Sequence, residues 1–158
     1  TTVSAISNVD QVRTTGLTLA VQHTDVGLAG LDMNGSLTYA RARIVRNAIA
    51  PATEGNVYPG VPDWRATWVG TYRVSDKLAW TLAARYSGNQ SNQLDNLDTN
   101  RSTYTSNSRY LVWDTRVTWT AARGIKVAAG IDNLNNATYY AYHPMPQRTV
   151  HAELQASF

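Results

Sequence analysis

The segment from Arg148 to Phe158, RTVHAELQASF, alternates without a break. Val150, Ala152, Leu154, Ala156 and Phe158 are apolar, and Thr149, His151, Glu153, Gln155 and Ser157 between them are polar. Successive side chains of a strand point to opposite faces, so this stretch has one oily face and one wet face. A period of two cannot be accommodated on a helix, and it restricts the chain to sheet architectures. A strand that ends on an aromatic, with no polar tail, suits an oily face in contact with lipid, because aromatic rings favour the membrane interface.

The same period recurs through the chain. Trp64, Ala66, Trp68, Gly70, Tyr72 and Val74 alternate with Arg65, Thr67, Val69, Thr71 and Arg73. Leu78, Trp80, Leu82, Ala84 and Tyr86 share one parity, as do Leu111, Trp113, Thr115, Val117 and Trp119, and Ile125, Val127, Ala129 and Ile131. Nearer the start, Leu17, Leu19, Val21 and His23 form one face, and Leu31, Met33, Gly35, Leu37 and Tyr39 another. Seven strands are predicted, roughly at 11–24, 31–46, 63–74, 77–88, 109–121, 125–133 and 147–158, with residues 1–10 extending the first or forming part of an eighth. Their connections alternate in length. Ser75-Asp76-Lys77 and Arg123-Gly124 have tight-hairpin chemistry, and Asp25–Gly30 is only slightly longer. Residues 47–62, 88–109 and 133–147 are long polar loops containing Gly, Asn and Pro. Short turns at one end and long loops at the other are the plan of an outer-membrane barrel, with the short side periplasmic.

Composition supports that reading where hydropathy does not. Hydrophobic content is 43% and mean hydropathy −0.33, and no apolar run approaches the ~18–20 residues of a spanning helix. Alternating strands average to neutral, so such a scale does not register them. Five Trp and nine Tyr stand against one Phe, a bias toward rings with a polar handle that suits a water–lipid boundary. Trp64 and Tyr72 lie on one face, about 20 Å apart along the membrane normal for a strand tilted near 40°. That is close to the ~25 Å apolar band with aromatics at each rim. A transmembrane barrel is therefore expected in preference to a soluble β-sandwich. The absence of Cys excludes disulfide scaffolds and Cys-based metal or redox sites. The net charge of +3 is scattered along strands, so no nucleic-acid partner is expected. The chain has no signal peptide and opens on polar residues, and it reads as mature or as a fragment.

Residues 130–148, GIDNLNNATYYAYHPMPQR, resemble the C-terminal end of a TonB-dependent outer-membrane receptor. Such chains carry Gly-x-x-Asn-Leu-x-(Asp/Asn)-x-x-Tyr, then Pro-x-Pro-x-Arg, then an alternating strand ending in Phe or Trp. Gly130, Asn133, Leu134, Asn136, Tyr139, Pro144, Pro146, Arg148 and Phe158 match; Asn135 and Gln147 stand where Phe and Gly are usual. A weaker match, Asn8-Val9 through Val12-Arg13 to Gly16, resembles the start of a late strand pair in the same family. The resemblance implies an antiparallel all-β segment, without a plug domain, of a roughly 22-stranded barrel. It implies a receptor in the Gram-negative outer membrane that takes up a ferric siderophore, or else haem, cobalamin or copper, driven through the TonB complex. Lipid, the rest of the barrel and the plug would be its partners. Phe158 would be the assembly signal. The alternative is a self-contained, OmpA-like barrel of about eight strands with a structural, adhesive or lipid-enzyme role.

Tyr139, Tyr140, Tyr142, His143 and Met145 are candidate ligand contacts at the extracellular end, against a purely architectural role for their loop. His143 with Met145 are soft-metal donors without a partner set, so no metal site is assigned. Arg41, Arg43 and Arg46 form the one basic cluster. Arg41 and Arg43 continue the outward face of Leu37 and Tyr39, where a guanidinium fork suits lipopolysaccharide phosphates or else simply meets solvent. Arg65, Arg73, Arg85, Asp114, Arg116, Lys126, Asp132 and Glu153 share the inward parity and are expected to pair within the lumen or to meet a plug. His23, His143 and His151 fall on separate segments with no matching nucleophile, and no phosphate-binding loop is present. Neither an enzyme nor a cofactor is expected.

Overall fold

The structure is a computed structural model, described here over residues 8–157. β1 (Gln11–His23), β2 (Leu31–Arg46), β3 (Trp64–Ser75), β4 (Leu78–Ser87), β5 (Tyr110–Ala122), β6 (Ile125–Asp132) and β9 (Thr149–Ala156) form one antiparallel sheet in the order β1-β2-β3-β4-β5-β6-β9. A two-residue ladder, β7 (Tyr140–Ala141) with β8 (His143–Pro144), stands in the last long loop, and one 3-10 turn, Pro51–Thr53, in the first. The seven strands and the alternation of short and long connections are those expected from the pattern. Phe158 and residues 1–7, on which the assembly signal and most of an eighth strand would fall, lie outside the described residues.

Register fixes the two faces. Leu17, Leu19 and Val21 stand opposite Tyr39, Leu37 and Gly35, and Gly35 stands opposite Trp68. Tyr72 faces Trp80, Leu78 faces Trp119, and Val127 faces Leu154. On this face most apolar residues meet another across the strand, Leu82 opposite Thr115 being an exception, so a single oily surface runs over all seven strands. Leu17, Val150 and Leu154 are more than 70% exposed on it. Only Ala42, Ile44, Val112, Ala128 and Tyr139 form a buried apolar core among the described residues. A soluble sandwich hides its oily face under a second layer. Among the described residues no second layer covers this sheet, and its exposed apolar face suits contact with lipid.

The aromatics lie close to the expected rims, with one difference. Tyr39 and Trp64 pack at 4.9 Å toward the long-loop end, and Tyr72 neighbours Trp80 toward the tight-turn end. Trp68, however, sits mid-strand. A Cβ on Gly70 would lie 2.8 Å from its indole, and one on Gly35 3.6 Å, so two glycines make room for the ring. It meets Trp113 edge-on at 6.3 Å. On the oily face the Trp80 indole donates to Thr115 Oγ1 at 2.8 Å, which leaves no bare N–H toward lipid.

The opposite face is polar and internally paired. Hydroxyl pairs Thr18–Thr38, Ser36–Thr67 and Thr71–Thr81 bridge neighbouring strands at 2.8–3.0 Å. Arg85 pairs with Asp114 at 3.0 Å and Arg116 with Glu153 at 2.6 Å. Arg73 takes Asp25 at 2.9 Å and also Asp32, tying the β1–β2 turn to β3. Asp132 lies 3.6 Å from His151, whose ring covers Gly130. Mutual pairing of the inward charges therefore holds for Arg73, Arg85, Asp114, Arg116 and Glu153. Arg65 and Lys126 make no ion pair among the described residues.

Candidate functional site

The long loops at 47–63, 88–109 and 133–148 leave the same end of the sheet, and their backbones would be unpaired without partners. In the first loop, Asn47 Nδ2 donates to Thr53 Oγ1 at 3.0 Å, and Asn47 Oδ1 accepts from the Ala50 amide at 3.3 Å, setting up the Pro51 turn. The chain then returns along β2. The Ile44 amide donates to the Asn56 carbonyl and the Tyr58 amide to the Ala42 carbonyl, both at 3.0 Å, so the loop occupies the place beside β2 beyond the end of β3.

Asn96 (φ 58°) joins the first loop to the second, with Oδ1 accepting from the Val57 amide at 2.8 Å and Nδ2 donating to the Val57 carbonyl at 2.9 Å. Asp98 is the hub of the second loop. Its carboxylate accepts from Ser91 Oγ at 2.5 Å, from the Asn92 amide and side chain, and from Arg101 Nε at 3.3 Å. Burial opposes the charge, but these donors outweigh it and hold the carboxyl below the usual range.

The third loop docks on the second through its backbone. The Ser108 amide donates to the Tyr140 carbonyl, the Tyr142 amide to the Ser106 carbonyl, and the Thr105 amide to the Tyr142 carbonyl, at 2.7–3.0 Å. Its base is Asn133 (φ 52°). The Asn133 side chain donates to the carbonyls of Ala137 and Pro146 and accepts from the Ala137 amide. Asn135 accepts from the Trp113 amide and donates to the Leu111 carbonyl, extending the sheet edge beyond β6. Arg148 reaches back to the Leu134 carbonyl at 3.1 Å, and its amide donates to Asn136 Oδ1. The Asn-rich motif is thus a backbone-satisfying device, and Asn135 does with its amide what no Phe ring can.

These contacts sort the candidate ligand residues. Tyr139 is buried with its ring 4.4 Å from that of Tyr110, and burial pushes its phenol above the usual range. Tyr140 and Met145 are half-buried, and Tyr142 and His143 are exposed. The His143 ring lies between Tyr104 at 5.1 Å and Tyr142 at 5.2 Å, both edge-on. Tyr104 comes from the second loop, and no local signal in the sequence connects it with His143. Among the described residues no three His, Cys, Asp or Glu side chains gather as a metal site. Arg41 and Arg43 lie on β2 past Tyr39, with Arg43 donating to the Gly55 carbonyl, and Arg46 closes the strand.

A family model described as "TonB dependent receptor-like, beta-barrel" matches residues 1–134. Among solved structures, the siderophore receptor PiuA from Acinetobacter baumannii superposes with a TM-score of 0.76 at 20% identity, over 92% of this chain and 22% of that one. The ferric citrate transporter FecA gives 0.79 at 19%, over 93% and 24%. The ferric yersiniabactin uptake receptor FyuA from Yersinia pestis gives 0.76 at 19%, again over 93% and 24%. The chain therefore spans less than a quarter of the length of each of these structures. No curated protein matches it.

Proposed function

The chain belongs to the TonB-dependent receptor β-barrel family, and on that premise we propose that it supplies the last strands and three outward loops of a receptor importing a ferric siderophore. The family's barrels are transporters of the Gram-negative outer membrane and not enzymes. The observation that carries the proposal is the interlocked loop end over a one-layer wall. β1 and β9 are the two edges of that wall, and their outer backbone groups need further strands in lipid. The remaining strands and a plug complete the barrel, and the TonB complex delivers energy through the plug.

In this reading the cradle of Tyr104, Tyr142 and His143 faces the arriving ligand. Exposed rings held by backbone pairing are pre-organised, so contact with a flat or anionic chelate costs little ordering. Siderophore cargo is favoured because PiuA is a siderophore receptor and FyuA takes up ferric yersiniabactin. The test is binding of the purified full-length receptor to a panel of ferric siderophores. At least one iron chelate is expected to bind, and replacing both Tyr104 and Tyr142 by Ala weakens it about tenfold or more. Binding of haem, cobalamin or copper with no affinity for any iron chelate overturns the cargo assignment.

A further inference from the structure

The inward face of the sheet is divided in two. On β1 to β4 no inward residue carries a charge between Arg65 and Arg85, toward the long loops, and the Arg73–Asp25–Asp32 ion pairs at the tight-turn end. Ala20, Ala79 and Ala83 keep this strip low, and its hydroxyls are turned on one another in the pairs Thr18–Thr38, Ser36–Thr67 and Thr71–Thr81. A depression of about 350 Å³ lies within it, between Ala20, Gln22, Asn34, Ser36 and Thr67. The strands β5, β6 and β9 are the opposite case. There Asp114, Arg116, Lys126, Asp132, His151 and Glu153 spread charge from the long-loop end to the tight-turn end.

The two halves hold a neighbour with different strength. Hydrogen bonds with an ionised partner are roughly twice as strong as neutral ones. Arg116 donates one nitrogen to Glu153, and Lys126 makes no ion pair among the described residues, so both keep donors for whatever packs inside the barrel. The hydroxyls of the uncharged strip already have partners in the wall, and a solute that moves on leaves none of them unpaired. Passage through a membrane needs contacts favourable enough to enter and weak enough to leave, which neutral, mutually paired hydroxyls provide. Arg65 stands opposite Thr38 where the strip meets the long-loop end, without an ion pair among the described residues, and it lends that entrance a positive potential.

We propose that cargo crosses the barrel along this uncharged strip of β1 to β4, while the charged half formed by β5, β6 and β9 holds the plug in place. The lane suits an anionic, oxygen-rich chelate, drawn in beside Arg65 and exchanging hydrogen bonds with successive rows of hydroxyls and with the Gln22 and Asn34 amides. The assignment rests on the chain being the wall of an importing receptor and is independent of which cargo that receptor takes.

The experiment uses the full-length receptor in the outer membrane of intact cells. Single cysteines enter this Cys-free stretch at Ser36, Thr67 or Thr71 on the strip and at Thr118 or Gln155 on the charged half. Labelling by a small neutral maleimide is timed with the TonB complex active and with it inactivated. The ligand present is the iron chelate that binds from the siderophore panel, or haem, cobalamin or copper where one of these binds instead. Activity of the complex is expected to speed labelling about tenfold at the three strip positions and less than about twofold at the other two. Thr67→Trp, which narrows the lane, is expected to cut uptake about tenfold with cargo affinity unchanged, and Thr67→Ser to take up cargo as wild type does. Cargo binding, measured in parallel, reports the fold of each variant. Equal acceleration on the two halves, acceleration at Thr118 and Gln155 alone, or acceleration nowhere overturns the lane. Wild-type uptake by Thr67→Trp overturns it as well.

Discussion

Along the strand wall, backbone groups are paired by neighbouring strands, and side chains decide only which medium each face meets. At the loop end the backbone has no ladder over most of its length. Asn47, Asn96, Asp98, Asn133 and Asn135 supply the missing partners from their side chains. The wall is therefore tolerant of sequence so long as polarity alternates, because every residue except Pro provides the same N–H and C=O. The loop end depends on individual side chains, because each hub satisfies a particular set of backbone groups. The two regions should fail differently when challenged.

The largest effect is expected in the wall. Leu82→Arg, toward the middle of β4 on the oily face, should cost about 2–4 kcal/mol in denaturant unfolding of the lipid-reconstituted receptor. Ala83→Arg, one residue on and opposite Asp114, should cost less than about 1 kcal/mol. Equal costs would mean that the two faces do not meet different media. Next comes the loop hub. Asn133→Ala removes both donors and the acceptor at a left-handed position and should cost about 2–3 kcal/mol. Faster amide exchange should appear from Ala137 to Tyr142 and not in β3 or β4. Exchange that rises throughout the sheet would show that the loop end and the wall are one cooperative unit.

A smaller, pH-dependent effect separates the regions without mutation. Asp98 has its carboxyl lowered in the folded loop, so its contribution is fully present above the unfolded value near 3.9. It is lost as pH falls through the lower folded value. Exchange protection around Ser91–Arg101 should therefore drop on acidification below about pH 4, and Asp98→Asn should be insensitive in that window. The smallest effect returns to the wall. A double-mutant cycle on the exposed Arg116–Glu153 pair should give about 0–1 kcal/mol, diminishing with salt. A coupling well above that range would show that lumen charges hold the sheet together beyond the backbone ladder.

The division between the regions also marks what was legible in the residues. Strand positions, the two faces and the short and long ends followed from alternation, because the side-chain period of a strand is a property of the backbone itself. The Gly130–Arg148 motif was legible as a family resemblance, but its use was not. That Asn135 completes the edge of β5, and that Tyr139 is buried on Tyr110, depend on where a loop folds relative to a strand twenty or more residues away. Tyr104 had no signal at all, because its partner His143 lies in a different loop. Mid-strand Trp68 departs from the rim pattern because Gly70, two residues on in the same strand, and Gly35, opposite it on β2, clear space for its ring.

By itself, the sequence determined an antiparallel sheet with an oily and a wet face, and which residues go to which. A one-residue shift in pairing would put every side chain on the wrong side, so the pattern enforces the register. Only the tertiary structure decided which inward charges meet and that three loops interlock through Asn and Asp hubs. Those outcomes depend on cross-strand register and loop docking, which bring together residues far apart in the chain, and no local period encodes such distances.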